Sequence, residues 1–255
     1  MESTNRLTSD PLSTQPLTSE PLTSQPLTDQ PPVGQPLTSQ PLADRPLTID
    51  SLLEHVQAAP ARLGKTRLIS IDGPAGSGKS TLADRFAARA EARGLRTRVL
   101  HMDDLYDGWD GAVRGFALLR DHVLTRLADG REGRYRRYDW SAGAYAELHL
   151  VPATVELLIV EGVTSCDRDA DAWQSLQIWI ETTNEVRLGR GIERDGEALR
   201  DHWLEWMRWE RDHFATENTR TRANLIVDGN PAVPHDPATE LVPKSLTLPH
   251  NSAAS

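Results

Sequence analysis

The stretch ISIDGPAGSGKSTLADRF, residues 69–86, decides the fold. An apolar run, TRLISID over 66–72, leads into Gly73-Pro74-Ala75-Gly76-Ser77-Gly78-Lys79-Ser80, which fits G-x-x-x-x-G-K-[ST]. Lys79 to Ala92 reads as a helix that Gly94 stops. Strand, glycine-rich loop and helix, in this order, is the context in which such a loop holds phosphate. Glycines at 73, 76 and 78 let backbone N–H groups turn inward, and the helix N-terminus adds the positive end of its dipole. The expected binding set is Gly73, Ala75, Gly76, Ser77, Gly78, Lys79, Ser80 and Thr81. The Lys79 ammonium reaches the β and γ phosphates, the Ser80 hydroxyl suits Mg²⁺, and Thr81 is a second hydroxyl nearby. A nucleoside triphosphate is therefore implied.

Working outward, strands and helices alternate. RTRVLHMDD (96–104), VELLIVEG (155–162), LQIWIET (176–182) and ANLIVDG (223–229) read as buried strands, beside the one at 66–72. Helical patterns occupy 51–59, 109–130, 184–194 and 199–217. This alternation predicts an α/β P-loop NTPase fold, with a five-stranded parallel sheet and helices on both faces. Residues 11–50 repeat a five-residue unit, PLTSQ and its variants, with too little apolar content for a core. Three segments are expected: a disordered Pro/Leu/Thr tail over 1–48, a domain over 49–230, and a flexible C-terminal tail over 231–255.

Composition narrows the function. The net charge of −9 argues against a broad nucleic-acid face. A single cysteine, Cys166, excludes an internal disulfide and suggests a reducing cytoplasm. No apolar run approaches membrane-spanning length, and the first residues do not form a signal peptide. The eight histidines show no metal-ligand spacing.

Carboxylates at strand ends are the next signal. Glu161 ends one strand, and Asp103 and Asp104 follow another, on the sheet edge where the loop also lies. Phosphorylating an alcohol needs such a carboxylate to accept the hydroxyl proton. No Leu-Ser-Gly-Gly-Gln or Asn-Lys-x-Asp motif is found, so chain size and motif layout favour a small-molecule kinase. Arg190 and Arg194 lie four apart on one helical face, facing either a transferring phosphoryl group or nearby acidic residues. Arg131, Arg134, Arg136 and Arg137 are read as a solvated loop, with an anionic-acceptor site as the rival. Trp203, Trp206 and Trp209 suggest core or lid packing, with acceptor stacking as the other reading.

Taken together, residues 67–228 resemble the uridine kinase branch of the P-loop kinases, in the phosphoribulokinase/uridine kinase family. HMDDLYDG (101–108) resembles that family's Asp-Ser-Phe-Tyr segment, YDW (138–140) its Tyr-Asp-Phe motif, and VEGV (160–163) its Glu-Gly segment. IETTNEVRLGRGIERD (180–195) resembles its arginine-rich lid, with Arg187, Arg190 and Arg194 matching in spacing. The resemblance implies Asp103 as catalytic carboxylate, with Ser80, Glu161 and Asp103 as the metal candidates. It also implies Lys79, Arg190 and Arg194 as further catalytic groups, and Tyr106, Tyr138, Asp139 and Trp140 on the acceptor side. The family's Tyr-Asp-Phe motif continues to a His and an Arg that recognise the nucleoside; Gly143 and Tyr145 stand in those places here.

The expected function is ATP-dependent phosphorylation of a nucleoside or other small alcohol, with ATP and Mg²⁺ as cofactors. The rival is a non-catalytic or weakly hydrolytic ATP switch acting through a partner. Neither nucleic acid nor membrane is an expected partner, and homo-oligomerisation is left open.

Overall fold

A computed structural model describes residues 45–248. The repeat at 11–44 therefore lies outside the described residues. The order is β1 (Leu47–Thr48), α1 (Ile49–Ala58), β2 (Arg67–Asp72), α2 (Lys79–Ala92), β3 (Thr97–His101), α3 (Ala112–Leu119) and α4 (Thr125–Ala128), the last two joined through a π turn at Arg120–Leu124. A hairpin of β4 (Gly133–Asp139) and β5 (Ala144–Val151) follows, then β6 (Leu157–Glu161) and β7 (Gln174–Glu181). Three helices, α5 (Asn184–Asp195), α6 (Arg200–Glu217) and α7 (Thr219–Arg222), precede β8 (Leu225–Asp228), β9 (Glu240–Leu241) and β10 (Pro243–Leu246).

The central sheet runs β10-β8-β7-β2-β6-β3. β2 lies parallel between β6 and β7, and all of β6 is buried, as expected for strands covered on both faces. On one face α2 packs against β3 and β6, and α1 packs on α2. Ile49, Leu52, Leu53 and Val56 bury one stripe of α1, and Thr48 caps it by accepting from the Ser51 N–H at 3.2 Å. On the other face a core of Met102, Tyr106, Phe116, Val123, Leu124, Leu158, Val160 and Trp206 joins α3, the π turn and α6 to the sheet.

Four expectations need correction: the strand count, the two tail boundaries and the loop holding the arginine run. The sheet has six strands, because β10 adds to the five parallel ones by pairing antiparallel to β8. The described part of the expected C-terminal tail, 231–248, is thus packed against the domain. The Asp228 N–H donates to the Val242 carbonyl at 2.9 Å, and the Thr247 N–H to the Asn224 carbonyl at 2.7 Å. Without that strand β8 would be an edge with unpaired backbone groups. β9 pairs in turn with β1, so residues 47 and 48 belong to the folded unit although the tail was expected to run to 48.

The last correction is the hairpin, where a solvated loop was expected. Its turn is built locally. The Asp139 carboxylate accepts from the Ser141 and Ala142 N–H groups at 2.9 and 3.0 Å, and Gly143 takes φ +64°, a conformation glycine adopts without strain. Arg137 pairs with Glu147 at 2.5 Å across the strands, and Arg136 donates to the Ala146 carbonyl at 2.7 Å.

Candidate active site

The site is organised where β2, β6 and β3 end side by side. His101 and Glu161 are partners in the β3–β6 register, and Ile71 and Glu161 in the β2–β6 register. Asp72, the last residue of β2, is fully buried. It accepts from the Gly73 N–H at 2.7 Å and the Cys166 N–H at 3.0 Å, tying the start of the phosphate loop to the segment after β6. Burial pushes its carboxyl up to about 7, against the lowering effect of those two N–H donors.

The loop conformation needs its glycines. A Cβ on Gly73, at φ +140°, would fall 2.1 Å from the Ile180 carbonyl oxygen, and one on Gly76, at φ +78°, 2.7 Å from that of Arg187. Gly78 is the left-handed N-cap residue of α2, so Lys79 and Ser80 open the helix with their N–H groups beside the cavity. The Lys79 ammonium donates to the carbonyls of Gly73 and Pro74 at 2.8 and 3.1 Å. The Ser80 hydroxyl donates to Glu161 Oε1 at 3.0 Å, and His101 Nδ1 lies 2.6 Å from the same oxygen. That hydrogen bond to Glu161 raises the His101 pKa against the desolvation that would lower it.

A cavity of about 630 Å³ spreads from the loop. Gly76, Gly78, Lys79, Ser80, Thr81 and Glu161 line one end, and Asp103, Tyr106, Trp140, Arg190 and Arg194 also reach its wall. Asp103 lines the cavity, where desolvation first, and then the Glu161 carboxylate, raise its pKa. Asp104 does not line this space; the Tyr135 hydroxyl reaches its carboxylate at 3.5 Å. Trp140 Nε1 donates to the Asp103 carbonyl at 3.1 Å. The Tyr106 hydroxyl donates to the Val163 carbonyl, and burial pushes its phenol far up. Tyr138 and Asp139 sit in the hairpin outside the lining, Asp139 holding the turn.

The arginines of α5 divide. Arg190 donates to the Gly76 and Gly229 carbonyls, both at 3.2 Å, and to Asn230 Oδ1 at 3.1 Å. Arg194 forks onto Asp195 at 2.7 and 2.9 Å and lies 5.6 Å over the Trp203 ring. Arg187 is buried. It pairs with Glu210 of α6 and donates to the Ala75 carbonyl at 3.2 Å, while Glu210 accepts from the Ala75 N–H at 2.8 Å. Both backbone groups of Ala75 are therefore held from behind by one ion pair. A second cavity, of about 400 Å³, shares Gly78, Thr81 and Arg190 with the first and is closed by Gly229, Pro231, His235, Leu241 and Val242.

Several lining or supporting residues escaped sequence reading: His101, Trp109, Glu210 and the buried state of Arg187. The His101 signal was its place two residues before Asp103, at the end of the same strand. Glu210 carried no local signal, because its partner is 23 residues away.

The model of the Phosphoribulokinase / Uridine kinase family matches residues 106–206. No curated protein matches the chain. Among solved structures, it is similar to a possible uridine kinase from Bacillus stearothermophilus, with 18% identity, 70% of this chain and 96% of that chain covered, and a TM-score of 0.51. It is also similar to a kinase assigned to a fructose transport system from Silicibacter sp. TM1040, with 23% identity, 65% and 95% covered, and a TM-score of 0.49. The family match begins after the phosphate loop and Asp103, so it is independent of them. Over that segment the chain carries the pattern of the phosphoribulokinase/uridine kinase family, on the fold of a P-loop kinase.

Proposed function

We propose that the protein is a small-molecule kinase that transfers the γ-phosphate of ATP to an alcohol. One observation carries this reading: Lys79, Ser80, Glu161 and Asp103 border the same cavity of about 630 Å³. The residues fit the groups such a reaction needs. Gly73, Gly76 and Gly78 take the positive-φ turns that let loop N–H groups face a phosphate, and Ser80 Oγ and Glu161 Oε1, 3.0 Å apart, are hard oxygen donors of the kind Mg²⁺ takes. When bound, Mg²⁺ would neutralise phosphate charge and orient the donor.

In this reading Lys79 turns from the loop carbonyls to the phosphates. Asp103 accepts the proton of the acceptor hydroxyl as its oxygen attacks the γ-phosphorus; the bond to the β–γ bridging oxygen breaks and ADP leaves. Arg190 and Arg194 stand at the cavity rim to offset charge on the phosphoryl group, Arg194 after leaving Asp195. The nucleotide base enters the second cavity, beyond Arg190. The free, buried Cys166 is compatible with a reducing compartment, and no helix among the described residues is long and apolar enough to cross a membrane.

The test is ADP formation from Mg-ATP with a panel of nucleosides, sugars and vitamin alcohols, against free phosphate released without acceptor. Acceptor-dependent ADP with a phosphorylated product supports the kinase. Phosphate release indifferent to every acceptor would instead make it a hydrolytic switch. Uridine and cytidine are expected to be poor acceptors, because Gly143 and Tyr145 stand where the resembled family reads the base.

A further inference from the structure

Tyr106 borders the main cavity but is only 1% exposed. Its ring packs against Gly115, where a Cβ would fall 2.4 Å from it, and against Trp206, at a centroid separation of 6.1 Å. Its hydroxyl turns into the protein and donates to the Val163 carbonyl. The resembled family places this tyrosine on the acceptor side, yet here its proton is already bonded to the backbone.

The carbonyl that takes this proton belongs to an uncommon turn. The Ser165 N–H donates to the Gly162 carbonyl at 3.2 Å, closing a β-turn directly after Glu161. Of its two central residues, only Thr164 has a positive φ, +75°, the sign pattern of a type II turn, in which glycine or asparagine is normal at that place. Thr164 is β-branched and buried, so it is held there against its own preference. The other non-glycine residue with positive φ among the described residues, Asn218, ends helix α6, where asparagine is ordinary. Turning the Val163–Thr164 peptide over would give a type I turn. Thr164 would be relieved, and the Val163 carbonyl would swing away from Tyr106. The ends of the turn are tied separately. The Gly162 N–H donates to the Ile71 carbonyl at 3.1 Å, and the Cys166 N–H to Asp72, whose other oxygen holds the Gly73 N–H. Of these bonds, only the one from Tyr106 acts on the peptide that would turn over.

We propose that Tyr106 is a positioning residue and not an acceptor-binding one: its hydroxyl holds the Gly162–Ser165 turn in a form that Thr164 resists, and that turn keeps Glu161 in register with the phosphate loop. Strain of this kind persists where the surroundings over-determine it, and it collects at sites that need a fixed geometry. The chain between Glu161 and Cys166 is the short route from the metal-side carboxylate to the Asp72 tie at Gly73, so relaxing the turn moves one end against the other. The consequence for rate rests on the kinase reading above; the consequence for the turn does not.

The experiment compares the full chain with its Tyr106→Phe, Thr164→Gly and double variants. Phenylalanine keeps the ring on the cavity wall and removes the hydroxyl. Glycine takes the positive φ freely, so the turn no longer needs holding. Two readouts require no turnover: MgADP affinity by calorimetry, and hydrogen exchange over residues 162–166. Tyr106→Phe should weaken MgADP about fivefold and speed that exchange, Thr164→Gly should change the affinity less than about twofold, and the double variant should return to within about twofold of the parent. In kinetics with MgATP and whichever panel alcohol yields most product, Tyr106→Phe should lower kcat about tenfold with the alcohol KM within about twofold, and the double variant should recover. A raised alcohol KM at unchanged kcat would return Tyr106 to the acceptor and overturn the inference. So would a double variant as impaired as Tyr106→Phe, or a Tyr106→Phe protein with the parent's MgADP affinity and exchange. The binding effects without product from any alcohol would uphold the inference and refute the kinase reading. Product formation untouched by Tyr106→Phe would do the reverse.

Discussion

Glu210→Ala tests the anchor behind the phosphate loop. The carboxylate is buried with Arg187, so removing it leaves a guanidinium in the interior without its counter-ion and the Ala75 N–H without an acceptor. Breaking a buried pair from one side costs about 3–5 kcal/mol. At about 2–4 °C per kcal/mol for a domain of this size, the melting temperature should fall by about 10 °C. Stability alone would not show that the pair serves the loop. The double variant Arg187→Met/Glu210→Met separates the two roles, because neutralising both partners removes the unpaired charge and should restore most of the stability. The Ala75 N–H and carbonyl still lose their supports, so the loop is no longer held in register for the phosphates. A misplacement of about 1 Å is worth about a hundredfold in rate. The assay is thermal melting beside kcat/KM for ATP in the acceptor-coupled reaction. A Glu210→Ala protein melting within 2 °C of the parent would refute the energetic reasoning. A double variant with undiminished kcat/KM would show that the pair only stabilises the fold.

Lys79→Ala should leave a folded protein whose phosphoryl transfer is lower by several orders of magnitude; circular dichroism and initial rates check both halves. The raised pKa of Asp103 means that the competent carboxylate is lost on acidification above the ordinary carboxylate range; a pH–kcat/KM profile should show an acid limb there, and Asp103→Asn should abolish both rate and limb. Gly191→Ala places a Cβ 2.4 Å from the Trp203 ring, so it should destabilise by about 1–3 kcal/mol and disturb the acceptor wall, seen as a lower melting temperature and a raised acceptor KM. Deleting 1–44 should leave the melting temperature unchanged, whereas deleting 1–48 removes buried Leu47 and the Thr48 cap of α1 and should lower it measurably.

What was legible in the sequence was local or periodic. The phosphate loop announced itself because its glycines, lysine and serine are contiguous, and the five parallel strands because each is a short apolar run. Asp103 and Glu161 were legible as the first polar groups at strand ends, and the structure puts both on one cavity. β10 was hidden behind a Pro-rich segment, and only its pairing with β8 makes PKSL a strand. The hairpin was hidden because its first strand is rich in arginine, and cross-strand partners such as Glu147 are not adjacent in sequence. Arg187 shares the spacing of Arg190 and Arg194 on α5, yet it is buried because Glu210 waits on the next helix. Trp203 and Trp206, read chiefly as packing, are both packing and cavity wall, a distinction that helical spacing cannot express.

Helix α6 holds two things at once: Trp203 and Trp206 on the cavity wall, and Glu210, one turn beyond, bonded to the phosphate loop. Any change of ring on that helix is therefore also a change in the footing of Ala75. Trp140 comes from the hairpin turn; it bonds the Asp103 carbonyl and reaches α6 only indirectly, through Trp109. Acceptor choice in a lineage built on this plan can drift through the hairpin while α6 stays fixed. A laboratory library aimed at new acceptors should randomise position 140 first and leave 203, 206 and 210 as they are.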